Sequence, residues 1–153
     1  IQKSVRKLPT PKSMITNYLK RNWNDEFDYT TSQDCEQPMA SAIMIRTNLL
    51  QEIGGFDSDP MVWLFFNDVD LSKKILEKGY KIYYLADVYL YHGHGQSTKK
   101  VHSLKKLKLW HQGMYYYFRK WHVKKKRYIP ILATLTMISF AGLYVRNEIR
   151  KRK

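Results

Sequence analysis

Apolar positions along this chain change their spacing several times, and each change marks an expected element. Up to about position 33 the sequence is polar and basic and is punctuated by Pro9 and Pro11, which predicts an extended or looped lead-in with one short helix near 14–21. Ala42, Ile43, Met44 and Ile45 make a short apolar run that fits a buried strand. A helix is expected after it, with Thr47 as N-cap and Gly54 as C-cap. Residues 61–66 are aromatic and apolar. Val69, Leu71, Ile75 and Leu76 then follow helical spacing until the stop at Gly79, and 81–85 and 88–92 read as strands.

The longest periodic stretch comes next. Val101, Leu104, Leu107, Trp110, Met114, Tyr117 or Phe118, and Trp121 recur every three to four positions, which predicts an amphipathic helix over 99–121. Lys100, Lys105, Lys106, Lys108 and Arg119 mark its polar side. From 129 to 145 the period disappears, because the run IPILATLTMISFAGLYV has no charged side chain at all. As a helix this run is ~25 Å long, against a hydrocarbon core of about 30 Å. It therefore reads as a short spanning helix, as a helix lying in the membrane interface, or as a buried core helix.

Charge changes that picture. The chain has 153 residues, 27 Lys plus Arg against 13 Asp plus Glu, and a formal net charge of +14. Aromatics at 14% and hydrophobic residues at 44% exclude a disordered polycation. The cations sit in blocks, at 3–21, 99–108, 124–127 and 146–153, whereas most acids fall between Asp25 and Asp70. Basic blocks on both sides of the apolar run suit an anionic membrane surface. Because both flanks are positive, charge asymmetry assigns no orientation to the run. A nucleic-acid module built on phosphate contacts and stacking would spread its cations over the fold, so the block pattern speaks against nucleic acid as a partner. The single Cys35 excludes an internal disulfide framework and a cysteine-built zinc site, and fits a reducing compartment. A start at Ile1 with no apolar signal core reads as a cut from something longer.

Two clusters could carry chemistry. Phe65-Phe66-Asn67-Asp68-Val69-Asp70-Leu71 puts two carboxylates at the start of a helix, where acids are also favoured by the helix dipole. Asp70 suits that capping role. Asp68, beside Phe65, Phe66 and Val69, is placed to stand at a pocket rim as a general base toward a substrate hydroxyl. The second cluster is Tyr91-His92-Gly93-His94-Gly95. A spacing of two projects both rings to one side of a strand, and such a pair can bind a divalent metal if further ligands come from elsewhere. The alternative is a strand-end turn with incidental histidines.

The order of SAIMIRTNLLQEIGGFD (41–57), FFNDVDLSKKILEKGYKIYYLADVYLYHGHG (65–95) and YYYFRKWH (115–122) resembles the C-terminal half of a family 2 glycosyltransferase of the rhamnosyltransferase and galactofuranosyltransferase kind. The resemblance covers about 40–122. It implies an α/β fold, namely the acceptor-side half of a GT-A type, Rossmann-like domain, here followed by a basic amphipathic helix and an apolar membrane-seeking helix. It also implies transfer of a sugar, rhamnose or a related hexose, from a nucleotide-sugar donor to a lipid-linked or cell-surface polysaccharide acceptor with inversion. Asp68 would take the acceptor proton. His92 would be a ligand to Mn²⁺ or Mg²⁺ that neutralises the departing diphosphate. Arg119 falls where relatives place basic and aromatic residues near donor or acceptor. Trp63 and Phe66 would help form the acceptor pocket, with ordinary core packing as the alternative, and Asn67 and Asp70 would border it.

Two departures from the family pattern stand out. Asn67 occupies the position usually held by Glu, and the parallel-sheet donor half with its Asp-x-Asp motif is expected N-terminal to everything in this chain. The expected layout is a basic polar lead-in at 1–33, the transferase half at 34–98, the basic helix at 99–127 and the apolar helix with its basic tail at 128–153. The expected place is the cytoplasmic face of the cell membrane, peripheral or held by a single C-terminal anchor. A noncatalytic membrane-associated remnant that assembles with a partner is the alternative reading.

Overall fold

The computed structural model describes residues 3–16, 27–93 and 101–151. These fall into two compact units. The first takes Ile1–Asp57 and Asn67–His92, and the second takes Ser58–Phe66 and Gly93–Lys153.

In the first unit the elements are β1 (Val5–Arg6), α1 (Pro11–Thr16), β2 (Gln33–Cys35), β3 (Gln37–Pro38), α2 (Thr47–Glu52), α3 (Asn67–Glu77) and β4 (Ile82–Tyr84). β1 pairs antiparallel with β3, Val5 opposite Pro38, and β2 pairs antiparallel with β4, Cys35 opposite Ile82. The lead-in is thus part of the unit. Tyr29 ties it down, its hydroxyl accepting from the amides of Ser4 and Val5 at 3.1 Å each, while Phe27, Tyr29 and Tyr84 pack edge to face. The expected helix over 14–21 corresponds to α1, which starts earlier at Pro11; 17–21 lie outside the described residues.

The two helices that frame the acidic motif end in the same way. Gly54 and Gly79 have φ of 72° and 81°, a left-handed conformation that costs glycine no Cβ clash. The amide of Gly54 bonds to Gln51 O and that of Gly55 to Leu50 O; the amides of Gly79 and Tyr80 bond to Leu76 O and Ile75 O. Both are Schellman closures, which satisfy the last helical carbonyls. The N-cap of α2 is Arg46, not Thr47. Ile53, Leu71 and Ile75 form the core between the helices, with Ile45, Leu49, Leu50 and Ile82 packed on it.

Two expected strands are not found. The run 42–45 is irregular, and it sends Ile45 onto the core while Met44 stays 99% exposed. The stretch 88–92 is likewise without a ladder, and Tyr89 and Tyr91 are exposed. Apolar content alone makes a strand only when a neighbour supplies hydrogen-bond partners; among the described residues none does here. The described residues hold two small antiparallel sheets, and the parallel sheet of a Rossmann-like domain is not among them.

The second unit holds a 3₁₀ turn (Pro60–Val62), α4 (Ser103–Trp121), a second 3₁₀ turn (Lys126–Tyr128) and α5 (Ile129–Lys151). Asp59 caps the first turn by accepting from the Met61 amide at 2.8 Å. His102 caps α4, its Nδ1 accepting from the Leu104 amide at 3.3 Å. α4 and α5 form an antiparallel hairpin: His111 meets Ser139 and Phe140, while Leu104, earlier in α4, lines a groove with Tyr144, later in α5. In the N-terminal half of α4 the expected stripe is only partly buried: Leu104 is 40% exposed, and the first buried residue of the helix is Leu109, outside that stripe. From Leu109 on, the helix is buried more broadly, at His111, Gly113, Met114, Tyr116, Tyr117 and Phe118, because it packs on the turn at 60–62 as well as on α5. α5 continues beyond the apolar run to Lys151, 23 residues in all and about 34 Å at the helical rise. The segment Lys126–Ile149 is long and apolar enough to cross a membrane by length and composition.

Candidate functional site

The acidic motif opens α3, and the structure sends its carboxylates in different directions. Asp70 is fully buried. Its carboxylate lies 3.6 Å from Lys74 Nζ, which also donates to Gly55 O at 2.9 Å, so Asp70 ties α3 to the Gly-Gly closure of α2. Asp68 is half-buried and faces β3. Its Oδ2 accepts from Gln37 Nε2 at 3.1 Å, its Oδ1 accepts from the Val69 amide at 2.9 Å, and the Ala40 amide also donates to it. Burial pushes the Asp68 carboxyl above the usual carboxylate range, against the opposing pull of the Arg6 guanidinium and these hydrogen bonds. Asn67 stands beside it, its Oδ1 accepting from the Asp68 amide at 2.7 Å.

The group assembled around the proposed base is therefore Arg6, Gln37, Asn67 and Asp68. Sequence reasoning missed Arg6 and Gln37, since no spacing rule links positions on β1 and β3 to a helix start so far along the chain. Gln37 is only 1% exposed and its amide bridges Pro38 O and Asp68. A buried side-chain amide fixed at both ends is a rigid orienter of a carboxylate.

The other expected site residues lie elsewhere. Phe66 is buried in the second unit, its ring 5.8 Å from Trp110 and 5.9 Å from Tyr117, so it is a core side chain there. Its φ of 67° places a bulky residue in the left-handed region, immediately before α3 begins. Trp63 is 55% exposed and open to a ligand. Arg119 is exposed near the end of α4, with its guanidinium over the rings of Tyr115 and Tyr116 at 5.8 and 5.6 Å. His92 is exposed on the segment that follows β4, and His94 lies outside the described residues. Among the described residues no three His, Cys, Asp or Glu side chains come together to hold a metal ion. Comparison with protein-family models, with curated proteins and with solved structures finds no match to this chain.

Proposed function

We propose that the chain is the acceptor-side part of a membrane-associated, inverting glycosyltransferase in which Asp68 removes the proton from the acceptor hydroxyl. The observation that carries this reading is the half-buried Asp68 carboxylate, raised in proton affinity by its surroundings and oriented by Gln37. A general base works best when its pKa is tuned toward the working pH, and burial is the usual way to raise a carboxylate. Asn67, next to it, offers a neutral amide for an acceptor hydroxyl. The nucleotide-sugar donor would be held by a separate half-domain, and a Mn²⁺ or Mg²⁺ ion reached by His92 would need ligands from that half. Attachment at the cytoplasmic face of a membrane, beside a lipid-linked or polysaccharide acceptor, is supported by the apolar α5 and the basic blocks that flank it.

Asp68→Asn, tested in a protein carrying this chain together with a donor-binding half, should leave donor affinity within a factor of about two while lowering transfer by roughly 10²- to 10⁴-fold. Unchanged turnover removes Asp68 from the chemistry. One observation favours a second reading, a noncatalytic membrane-associated chain: the donors around Asp68 also knit β3 to α3, as a structural carboxylate would. That reading predicts that Asp68→Asn lowers stability and that the protein with Asp68 intact transfers no sugar.

A further inference from the structure

The length and composition of α5 permit it to span a bilayer, yet its partner helix carries charge at the wrong depth for that. Lys105 and Lys108 of α4 flank a shallow groove whose apolar wall is Leu104, Phe140 and Tyr144. His111 is level with Ser139 in this antiparallel pair, so Lys108, three residues earlier, lies beside the stretch between Phe140 and Tyr144, and Lys105 lies toward the end of the apolar run, where Leu104 also meets Asn147 and Glu148. If the apolar run 129–145 were centred on the bilayer midplane, Phe140 and Tyr144 would sit ~4.5 and ~10 Å from that plane at the helical rise, well inside a hydrocarbon half-thickness of about 15 Å. Lys108 would then have to extend its ammonium group past acyl chains to reach the headgroups, which disfavours spanning.

The opposite face of α5 shows what the hairpin does suit. Ile131, Leu135, Ile138, Gly142, Val145 and Ile149 recur at alternating intervals of four and three and are all exposed. This is a continuous apolar stripe turned away from α4. No charged side chain interrupts it from Ile131 to Val145, and Arg146, four residues after Gly142 and three before Ile149, borders it near its end; the hydroxyl of Thr134 at its edge is already bonded to Pro130 O at 2.9 Å, so it needs no water. Cations border the stripe: Lys105 and Lys108 on the α4 side, 124–127 before its start and Arg146 along its edge before Ile149.

We propose that the α4–α5 hairpin is an in-plane membrane anchor. α5 lies along the interface of an anionic bilayer with its stripe buried about 5–10 Å deep, and α4 covers it on the water side with its lysines at headgroup level. The occupant of the stripe is the lipid surface, chosen by charge complementarity between the cationic surround and anionic headgroups. The proposal rests on the membrane association in the reading above and specifies its geometry: both ends of α5 stay on the same side.

The test uses the whole chain with Cys35→Ser, bound to preformed sealed vesicles of phosphatidylcholine and phosphatidylserine, carrying either Lys126→Cys or Lys151→Cys. A membrane-impermeant maleimide added outside should label both positions to the level reached in detergent. Protection of one position until detergent is added means that α5 spans, and overturns the proposal while leaving membrane association intact. Failure of the chain to float with the vesicles overturns both. Ile138→Asp, on the exposed face and outside the core of the hairpin, should abolish flotation with the circular dichroism spectrum unchanged. Retained flotation, or conversion of a soluble dimer to a monomer with flotation kept, assigns the stripe to a second copy and overturns the lipid occupant.

Discussion

Asp68 and Cys35 show how far a side chain's chemistry depends on what surrounds it. The Asp68 carboxyl holds its proton more tightly in the fold than in the unfolded chain, where its value is 3.8. Its contribution therefore favours the folded state below that value and is lost as pH rises through the higher folded value. Denaturation measured across pH should show Asp68→Asn removing that part of the decline above pH 3.8. Arg6→Met, which deletes the attraction of the guanidinium, should move the Asp68 titration further upward, read by NMR of the carboxyl carbon. A downward move would show that Arg6 does not act on Asp68. Cys35 is pushed up to about 11 by burial and by the neighbouring Asp34 and Glu36. At pH 8 it should react with iodoacetamide far more slowly than free cysteine, with the rate climbing only toward that value, since the thiolate is the nucleophile. The acidic motif was legible in the sequence, because two carboxylates after an aromatic run stand out locally. Its split into a structural Asp70 and a half-buried Asp68 was not, since it depends on Lys74, Gln37 and Arg6.

At the scale of elements, α4 and α5 were legible and their contact was not. Periodicity announces a helix, but a glycine's meaning depends on the neighbour it meets. A Cβ at Gly113 would lie 2.9 Å from Phe65 O and 3.0 Å from the Phe66 ring, whereas one at Gly142 would meet nothing within 4 Å. Gly113→Ala should therefore destabilise by about 1–3 kcal/mol through overpacking. Gly142→Ala should stabilise by roughly 0.5–1 kcal/mol through helix propensity. Urea unfolding of both variants checks the contrast, and equal effects would refute the close approach at Gly113. His111 is the polar link of the hairpin. Because Leu107 O can only accept, Nδ1 carries the ring proton at 2.8 Å, leaving Nε2 to accept from Ser139 Oγ at 2.9 Å. Ser139→Ala leaves that buried nitrogen without this donor and should cost about 1–3 kcal/mol. The strands expected at 42–45 and 88–92 failed for the converse reason: their apolar content was visible, but the absence of a ladder partner was not.

For the whole molecule, which carries a net charge of +14, one buried ring in the hairpin sets a response to pH of its own. Burial holds the His111 imidazole below its usual range, against the Leu107 hydrogen bond. A base whose folded value is depressed binds fewer protons in the fold, so this contribution to stability is present above pH 6.5 and is lost as pH falls through the window below it. Acidification from pH 7 toward pH 5 should lower the unfolding midpoint, and His111→Gln should flatten that slope; an unchanged slope would show that the hairpin is insensitive to this ring. Sequence by itself determined the helices, their glycine stops, the apolar run and the placement of cations in blocks, because each is written in residues a few positions apart. Tertiary structure alone decided that the chain enters the second unit at 58–66 and leaves it again for α3, that Gln37 and Arg6 reach Asp68, and that Lys108 of α4 lies beside the stretch of α5 between Phe140 and Tyr144. Those outcomes turn on pairings between distant segments, whose energies come from burial and hydrogen bonds that no local spacing encodes.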